Sequence, residues 1–211
     1  ICTDKTGTLT QNKMQVAEIK EWGNRSLLEI AMAVNSTAEL DGAKTIGNPT
    51  EAALLLWLKA NGTDYSLLRQ QTPILWQQPF STENKYMATI AETKEGQYLM
   101  VKGAPEIVMA HCDIDHEELL NIQRQTLEYQ NKAMRTLAFA YKKVECGKNG
   151  YSLEAGDRSL TIQAVAAISD PLREEVPMAV RQCCRAGIDV KIVTGDTSAT
   201  AIEIARQIGI W

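Results

Sequence analysis

The sequence predicts an α/β fold: an antiparallel sheet with flanking helices, inserted into an incomplete parallel α/β domain. Three observations predict it. From Asp170 onward the pattern runs helix, strand, turn, helix, the rhythm of a parallel doubly wound sheet. The opening residues 1–10 read as the end of a buried strand delivering Asp4 onto a turn of Gly and hydroxyl residues, which fits the same sheet. Between them, residues 85–93 and 97–102 flank the turn residues Lys94-Glu95-Gly96, a hairpin signal. The expected division is 1–12 and 169–211 for the host domain and 13–168 for the insertion.

In chain order, residues 15–22 alternate loosely and read as a strand, and Asn24-Arg25 turns the chain. Ser26-Leu27-Leu28-Glu29 has capping-box spacing and starts a helix toward Val34. Asn48-Pro49-Thr50-Glu51 starts a second helix, with Asn48 as cap, Pro49 in the first turn and Glu51 at the third position. Residues 52–58 are its buried body, and Gly62 ends it. Residues 64–71 form another short helix. Beyond the hairpin, Ala104-Pro105 opens a short helix, and Asp115-His116-Glu117-Glu118 caps a longer one reaching Met134. Strands at 136–144 and 160–168 follow, joined by a polar, Gly-containing loop expected to be exposed and mobile. Residues 174–186 are helical, Gly187 stops them, 190–193 is a short apolar strand, 194–196 turns, and 198–208 is helical.

Bulk composition narrows the function. A chain of 211 residues with 45% hydrophobic content builds a real core. A formal net charge of −4 gives no electrostatic reason to expect nucleic acid. Five cysteines without CxxC spacing argue for a reducing compartment rather than a disulfide framework. The apolar run 52–58 is far short of the roughly 18–20 residues that span a bilayer, and no signal peptide is expected. A membrane part, if the parent has one, is expected outside this segment.

An Asp on a Gly- and Thr-rich turn can act as a nucleophile while nearby hydroxyls and N–H groups hold a phosphoryl group. The plainer alternative for Asp4 is a strand-end Asp bonding its own turn. Thr194-Gly195-Asp196 makes a second turn at the carboxyl edge of the sheet, where Thr194 can hold a phosphoryl oxygen. Thr6, two residues after Asp4, has no pKa useful for acid–base work. Glu51 either serves a ligand or closes its own capping box. Phe80 is one of two Phe in the chain and can simply be core. Lys85 follows on the same segment. Lys102 sits at a strand end as a point charge suited to phosphate, and Gly103 allows close backbone approach by a nucleotide. Asp170-Pro171-Leu172-Arg173 marks the stiff return to the host domain, with a helix N-cap as the plainer role of Asp170. Residues 111–116 resemble a metal cluster in composition but fit no zinc spacing, and Asp115 is better explained as a cap. Cys183 and Cys184 read as packing residues.

Taken whole, Asp4-Lys5-Thr6-Gly7-Thr8-Leu9-Thr10 resembles, position for position, the phosphorylation motif of the P-type (E1-E2) cation-transporting ATPases. Gly47-Asn48-Pro49-Thr50-Glu51, Pro79-Phe80-Ser81, Lys102-Gly103-Ala104-Pro105-Glu106, Met134-Arg135-Thr136 and Asp170-Pro171-Leu172-Arg173 follow in that family's order, more like the type II pumps (calcium-pump-like) than the heavy-metal branch. The resemblance implies a nucleotide-binding domain inserted into a haloacid-dehalogenase-like domain, with ATP and Mg²⁺ as cofactors. It implies phosphoryl transfer to Asp4 among Lys5, Thr6, Thr194, Gly195 and Asp196, with Mg²⁺ held by Asp4 and Thr6. It places Glu51, Phe80, Lys85, Lys102, Gly103, Arg135, Asp170 and Arg173 on the nucleotide, Phe80 stacking on adenine and Arg135 reaching the polyphosphate. Implied partners are the actuator and membrane domains of the same polypeptide and a transported cation bound elsewhere. The implied location is the cytoplasmic side of a membrane protein.

Phosphatases of the haloacid-dehalogenase type typically carry a second Asp where Thr6 stands, so an aspartyl phosphate here is expected to persist, as a pump requires. A soluble phosphatase of that superfamily and a noncatalytic nucleotide-binding module are the alternatives. Thr82, Asn84 and Tyr86 stand where relatives often carry basic residues, which implies weaker nucleotide binding. The family's later Gly-Asp-Gly-x-Asn-Asp motif falls after Trp211, so the isolated segment is expected to be inactive.

Overall fold

A computed structural model describes residues 1–42, 44–145, 153 and 156–211. The chain starts with β1 (Cys2–Asp4), a tight turn over Lys5–Leu9, β2 (Gln15–Glu21) and α1 (Arg25–Val34). A small hairpin, β3 (Glu39–Asp41) and β4 (Lys44–Ile46), precedes α2 (Pro49–Ala60) and α3 (Tyr65–Gln71). Then come β5 (Ile74–Gln78), β6 (Tyr86–Thr93), β7 (Gly96–Gly103), α4 (Pro105–Ala110), α5 (His116–Asn131), β8 (Arg135–Val144) and β9 (Thr161–Ser169). The chain closes with α6 (Val176–Arg185), β10 (Lys191–Val193) and α7 (Ser198–Ile208).

Six strands form one antiparallel sheet in the order β2-β9-β8-β7-β6-β5. Both faces are covered, so its strands read as apolar runs rather than a clean alternation. The period of two still sorts the side chains. Tyr98 and Met100 of β7, Phe139 of β8 and Ala164, Ala166 and Ile168 of β9 pack under α1 and α2. Their neighbours Leu99, Val101, Ala138, Ala140, Val165 and Ala167 face α4 and α5. The register slips between Phe139 and Ala140, so Gln163 is the extra residue of a bulge. The slip puts Ile162 on the same face as Val165 and Ala167. Lys102 is in phase with Tyr98 and Met100, which sends it toward α1 and α2.

The chain's two ends meet in a separate parallel pair. β1 lies beside β10, with Thr3 opposite Ile192 and Asp4 opposite Val193. Leu9, Val176, Val180, Ile204 and Ile208 form a third apolar cluster there, apart from the two that sandwich the large sheet. The connections between the two sheets are short and touch each other, Thr10 bridging Leu172.

Several local expectations change. α1 is capped by Asn24, whose Oδ1 accepts from Leu27 N at 3.2 Å, two residues earlier than the Ser26 box. Glu29 is then free to pair with Arg25, at 2.9 Å. α5 ends at Asn131 rather than Met134, because Ala133 adopts a φ of +59°. α6 begins at Val176, two residues later than expected, with Pro177 in its first turn. β5 and the β3–β4 hairpin were not anticipated; they are short and carry no clear alternation. The polar loop between β8 and β9 falls largely on residues 146–152, 154 and 155, outside the described ones.

Gly103 has a packing role within the sheet. A Cβ on it would lie 2.5 Å from Lys85 O and 2.6 Å from Tyr86 Cβ. The glycine lets β6 approach β7 across the Tyr86–Gly103 pair, so the space of the missing Cβ is taken by Lys85 and Tyr86. Gly103→Ala is expected to lower stability by about 1–3 kcal/mol through overpacking. At Gly62, φ is +83° and no atom crowds the Cβ position, so Ala there should cost about 1 kcal/mol, for backbone conformation alone. Urea unfolding of both variants reads the difference; equal costs would remove the close-approach argument.

Candidate active site

Strand β1 carries Asp4 to the carboxyl end of the parallel pair, and the pairing of Asp4 with Val193 sets it beside Thr194. The chain then wraps tightly, with Gly7 at a φ of +77° and Thr10 N donating to Lys5 O at 3.0 Å. The Asp4 carboxylate is exposed and has no side-chain hydrogen bond or ion pair among the described residues. Lys5 Nζ forms an ion pair with Asp196, and Asp196 N donates to Thr194 Oγ1 at 3.1 Å. The two turns that carry the candidate residues are therefore tied to each other. Thr6 is exposed and extended, at φ −74° and ψ 121°.

Arg173 and Asp170 hold this turn from behind. Arg173 Nη2 donates to Gly7 O and Arg173 N to Leu9 O, both at 2.9 Å. Asp170 accepts from Thr10 Oγ1 at 2.6 Å and from Lys13 N at 3.0 Å. Asp170 is thus a clamp between the two connections and not a helix cap, since α6 begins six residues later.

The second constellation surrounds Lys102. Its Nζ donates to Glu51 Oε1 and to Asn35 O, each at 2.6 Å. The side chains of Lys102 and Glu51 are only 5% and 10% exposed, so protein must replace their hydration. Glu51 Oε2 accepts from Thr37 N at 2.8 Å, Thr37 Oγ1 at 3.0 Å and Ser36 Oγ at 3.2 Å. Both carboxylate oxygens are occupied across the fold, so Glu51 does not close its own capping box; Asn48 caps α2 alone, accepting from Thr50 N at 2.9 Å. Burial pushes the Glu51 carboxyl up, but the Lys102 charge and the Lys102 and Thr37 hydrogen bonds outweigh it and hold the group below its ordinary value. Burial pulls the Lys102 ammonium down, and Glu51 opposes it.

The remaining predicted residues gather at the same end of the large sheet, where β6 starts, β7 ends and β8 starts. Arg135 opens β8 and donates from Nη1 to Thr50 Oγ1 at 3.3 Å, next to Glu51. Lys85 precedes β6 with a φ of +57°; its side chain is exposed and its carbonyl accepts from Ala104 N at 3.0 Å. Phe80 is 55% exposed, which rules out the core role. Of the metal-like run, Asp115 caps α5 by accepting from Glu118 N, and His111 Nδ1 lies 3.1 Å from Asp157 O.

Sequence reasoning missed Asn35, Ser36 and Thr37, which complete the Lys102 centre. Their one signal is three polar residues directly after the buried end of α1.

An antiparallel sheet covered on both faces, with a lysine–carboxylate pair buried near one end, defines an α/β domain built around an internal ion pair. The chain belongs to the P-type ATPase family: residues 23–175 match the family model described as P-type ATPase, cytoplasmic domain N. Over its full length it is 32% identical to a calcium-transporting ATPase of Listeria monocytogenes, 35% to calcium-transporting ATPase PAT1 of Dictyostelium discoideum and 33% to calcium-transporting ATPase 1 of Lactococcus lactis. It covers 27%, 21% and 26% of those proteins, about a quarter of the length of the curated relatives it matches. Among the described residues, no helix is long and apolar enough to cross a membrane.

Removing one partner of the buried pair should be far worse than removing both. Glu51→Gln is expected to cost about 3–5 kcal/mol by leaving Lys102 unpaired, and Glu51→Gln with Lys102→Met should recover most of it. The folded Glu51 value lies below the unfolded one, so its stabilisation is present above the ordinary value of 4.5 and lost as pH falls through the folded value. Glu51→Gln should accordingly flatten the acid limb of the stability profile. Urea midpoints across the acid range check both statements.

Proposed function

We propose that this chain is the ATP-binding and phosphoryl-accepting part of a P-type ATPase that drives calcium transport. In this reading residues 13–168 form the nucleotide-binding domain, inserted between segments 1–12 and 169–211 of a haloacid-dehalogenase-like phosphorylation domain. The observation that carries the proposal is the parallel pairing of β1 with β10, which brings the exposed Asp4 carboxylate and the Thr194 turn to one sheet edge. The separate apolar clusters support the division into two bodies.

Adenosine binds at the open end of the large sheet, with its base against the exposed face of Phe80 and near the remaining N–H of Lys102. Lys85 and Arg135 are the exposed cations at that end, suited to polyphosphate. A carboxylate oxygen of Asp4 attacks the γ-phosphorus, the bond from phosphorus to the β–γ bridging oxygen breaks, and ADP leaves with those electrons. Thr194 and the N–H groups of the two turns hold the phosphoryl oxygens. The Asp4 carboxylate and the Thr6 carbonyl are hard oxygen donors, which suit Mg²⁺. When bound, the ion supplies neutralising charge to the transferring group. With Thr at position 6, no second carboxylate activates water, so the aspartyl phosphate persists until other parts of the parent protein act on it. Those parts are the actuator and membrane domains, and the setting is the cytoplasmic side of a membrane.

Titration calorimetry with ATP tests the binding half. Phe80→Ala should weaken binding by about 1–3 kcal/mol, the scale of base–aromatic stacking; unchanged affinity would remove Phe80 from the site. In the full-length parent, acid-quenched labelling with γ-labelled ATP should place the label on Asp4, and Asp4→Asn should abolish it. A label that survives Asp4→Asn would show another acceptor.

A further inference from the structure

A buried polar chain runs beneath the large sheet and ends at Lys102, and neither the family's motifs nor the reading above gives it a task. It starts at the half-buried Gln77 of β5, whose Nε2 donates to Val34 O at 3.2 Å and to Thr89 Oγ1 at 3.0 Å. Thr89 Oγ1 donates to Asn35 Oδ1 at 2.9 Å. Asn35 Nδ2 donates to Met87 O and Met100 O, each at 3.3 Å, joining β6 and β7 next to the Met87–Lys102 pair. Thr89 and Asn35 are both wholly buried. Every polar group of the Asn35 side chain is thereby committed, and its backbone carbonyl is left to accept from Lys102 Nζ.

An ammonium group is tetrahedral with three N–H donors. Two of those on Lys102 go to Asn35 O and Glu51 Oε1, and the third has no acceptor among the described residues. Once two directions are committed, the third is fixed. Asn35 caps the end of α1, its N–H donating to Ala31 O at 3.0 Å, but its ψ of 53° turns its carbonyl out of the helical direction, and its side-chain bonds to β6 and β7 help to hold it there.

We propose that Asn35, locked by Thr89 and Gln77, is a positioning residue of the nucleotide site: its carbonyl aims the one uncommitted N–H of Lys102 at the ligand. The proposal rests on the nucleotide reading of that centre. It explains why a threonine and an asparagine interrupt an otherwise apolar layer, and why the chain of hydrogen bonds ends on the one lysine buried among the described residues.

Thr89→Val tests it, because it deletes the hydroxyl and keeps the β-branched shape. In the unliganded protein the Nζ resonance of Lys102, read by lysine-selective ¹⁵N NMR, should move. ATP affinity by calorimetry should fall roughly five- to tenfold, the scale of one hydrogen bond, with the circular dichroism unchanged. Thr89→Ser restores the hydroxyl and should restore both readouts. If Thr89→Val does not fold, Gln77→Met removes the outer link of the same chain and is expected to act in the same direction. An unmoved Nζ signal with wild-type ATP affinity in a folded variant would overturn the relay, whatever its thermal midpoint. So would a Thr89→Ser variant as impaired as Thr89→Val. Failure of the wild-type protein itself to bind ATP would overturn the nucleotide reading and this inference together, which separates the two failures.

Discussion

A lysine almost wholly withdrawn from water sets the arrangement of the inner half of this molecule. Lys102 lies on a central strand and points under the helices, so its charge has to be met by protein groups already in position. Glu51 meets it from the first turn of α2, and the Asn35 carbonyl meets it from the end of α1. Each partner brings further constraints. The second oxygen of Glu51 draws in Ser36 and Thr37, which fixes the segment between α1 and the β3–β4 hairpin. An apolar pair of equal volume would fill the same space without fixing that segment, so the ion pair contributes a defined arrangement more than a large net stability.

The same end of the sheet controls how the Asp4 turn is attached. Two connections leave the large sheet there, through residues 10–13 and 170–173. Asp170 binds Thr10 and Lys13, Gln11 N donates to Pro171 O at 3.0 Å, and Arg173 binds the carbonyls of Gly7 and Leu9. The crossings are thus bonded to each other along their length. These bonds hold the two segments together as one crossing between the large sheet and the Asp4 turn. Pro171 fixes one of the backbone angles within it.

Much of this was legible because it is local. Asn48-Pro49 at a helix start, Asp64 and Asp115 as caps, and the turn between β6 and β7 are determined by residues within a few positions of each other. The parallel placement of β1 beside β10 followed from the rhythm of the last two helices. What escaped depended on long-range contacts. Glu51 has the spacing of a capping box, and only Lys102, 51 residues away, shows that its carboxylate is taken. Asn24 and Ser26 are equally good caps on paper, and Asn24 is the one that also accepts from Gln163 across the sheet. The packing role of Gly103 was hidden because its crowding partner, Tyr86, is a neighbour only through strand register. The chemistry of Asn35 was invisible for the same reason: its partners lie on two strands more than fifty residues downstream.

The site divides by exposure, and the division has a mechanical meaning in the proposed function. Groups whose direction must be set in advance, Lys102 and Glu51, are buried, with both Glu51 oxygens and two of the three Lys102 N–H groups bonded. Groups that must adapt to a mobile polyphosphate, Lys85 and Arg135, are exposed, and among the described residues Arg135 is held by a 3.3 Å bond to Thr50. Lys5 lies between these extremes, with a side chain only 13% exposed and an ion pair to Asp196. A phosphoryl group arriving at Asp4 brings negative charge into the neighbourhood of that pair and competes with Asp196 for the same ammonium. Any transfer of Lys5 from one anion to the other alters the tie between the Lys5 and Thr194 turns, which are joined through Asp196. In the proposed function, phosphorylation of Asp4 therefore acts on the sheet edge that carries it, and that edge is bonded through Arg173 on Gly7 O to the crossing behind it.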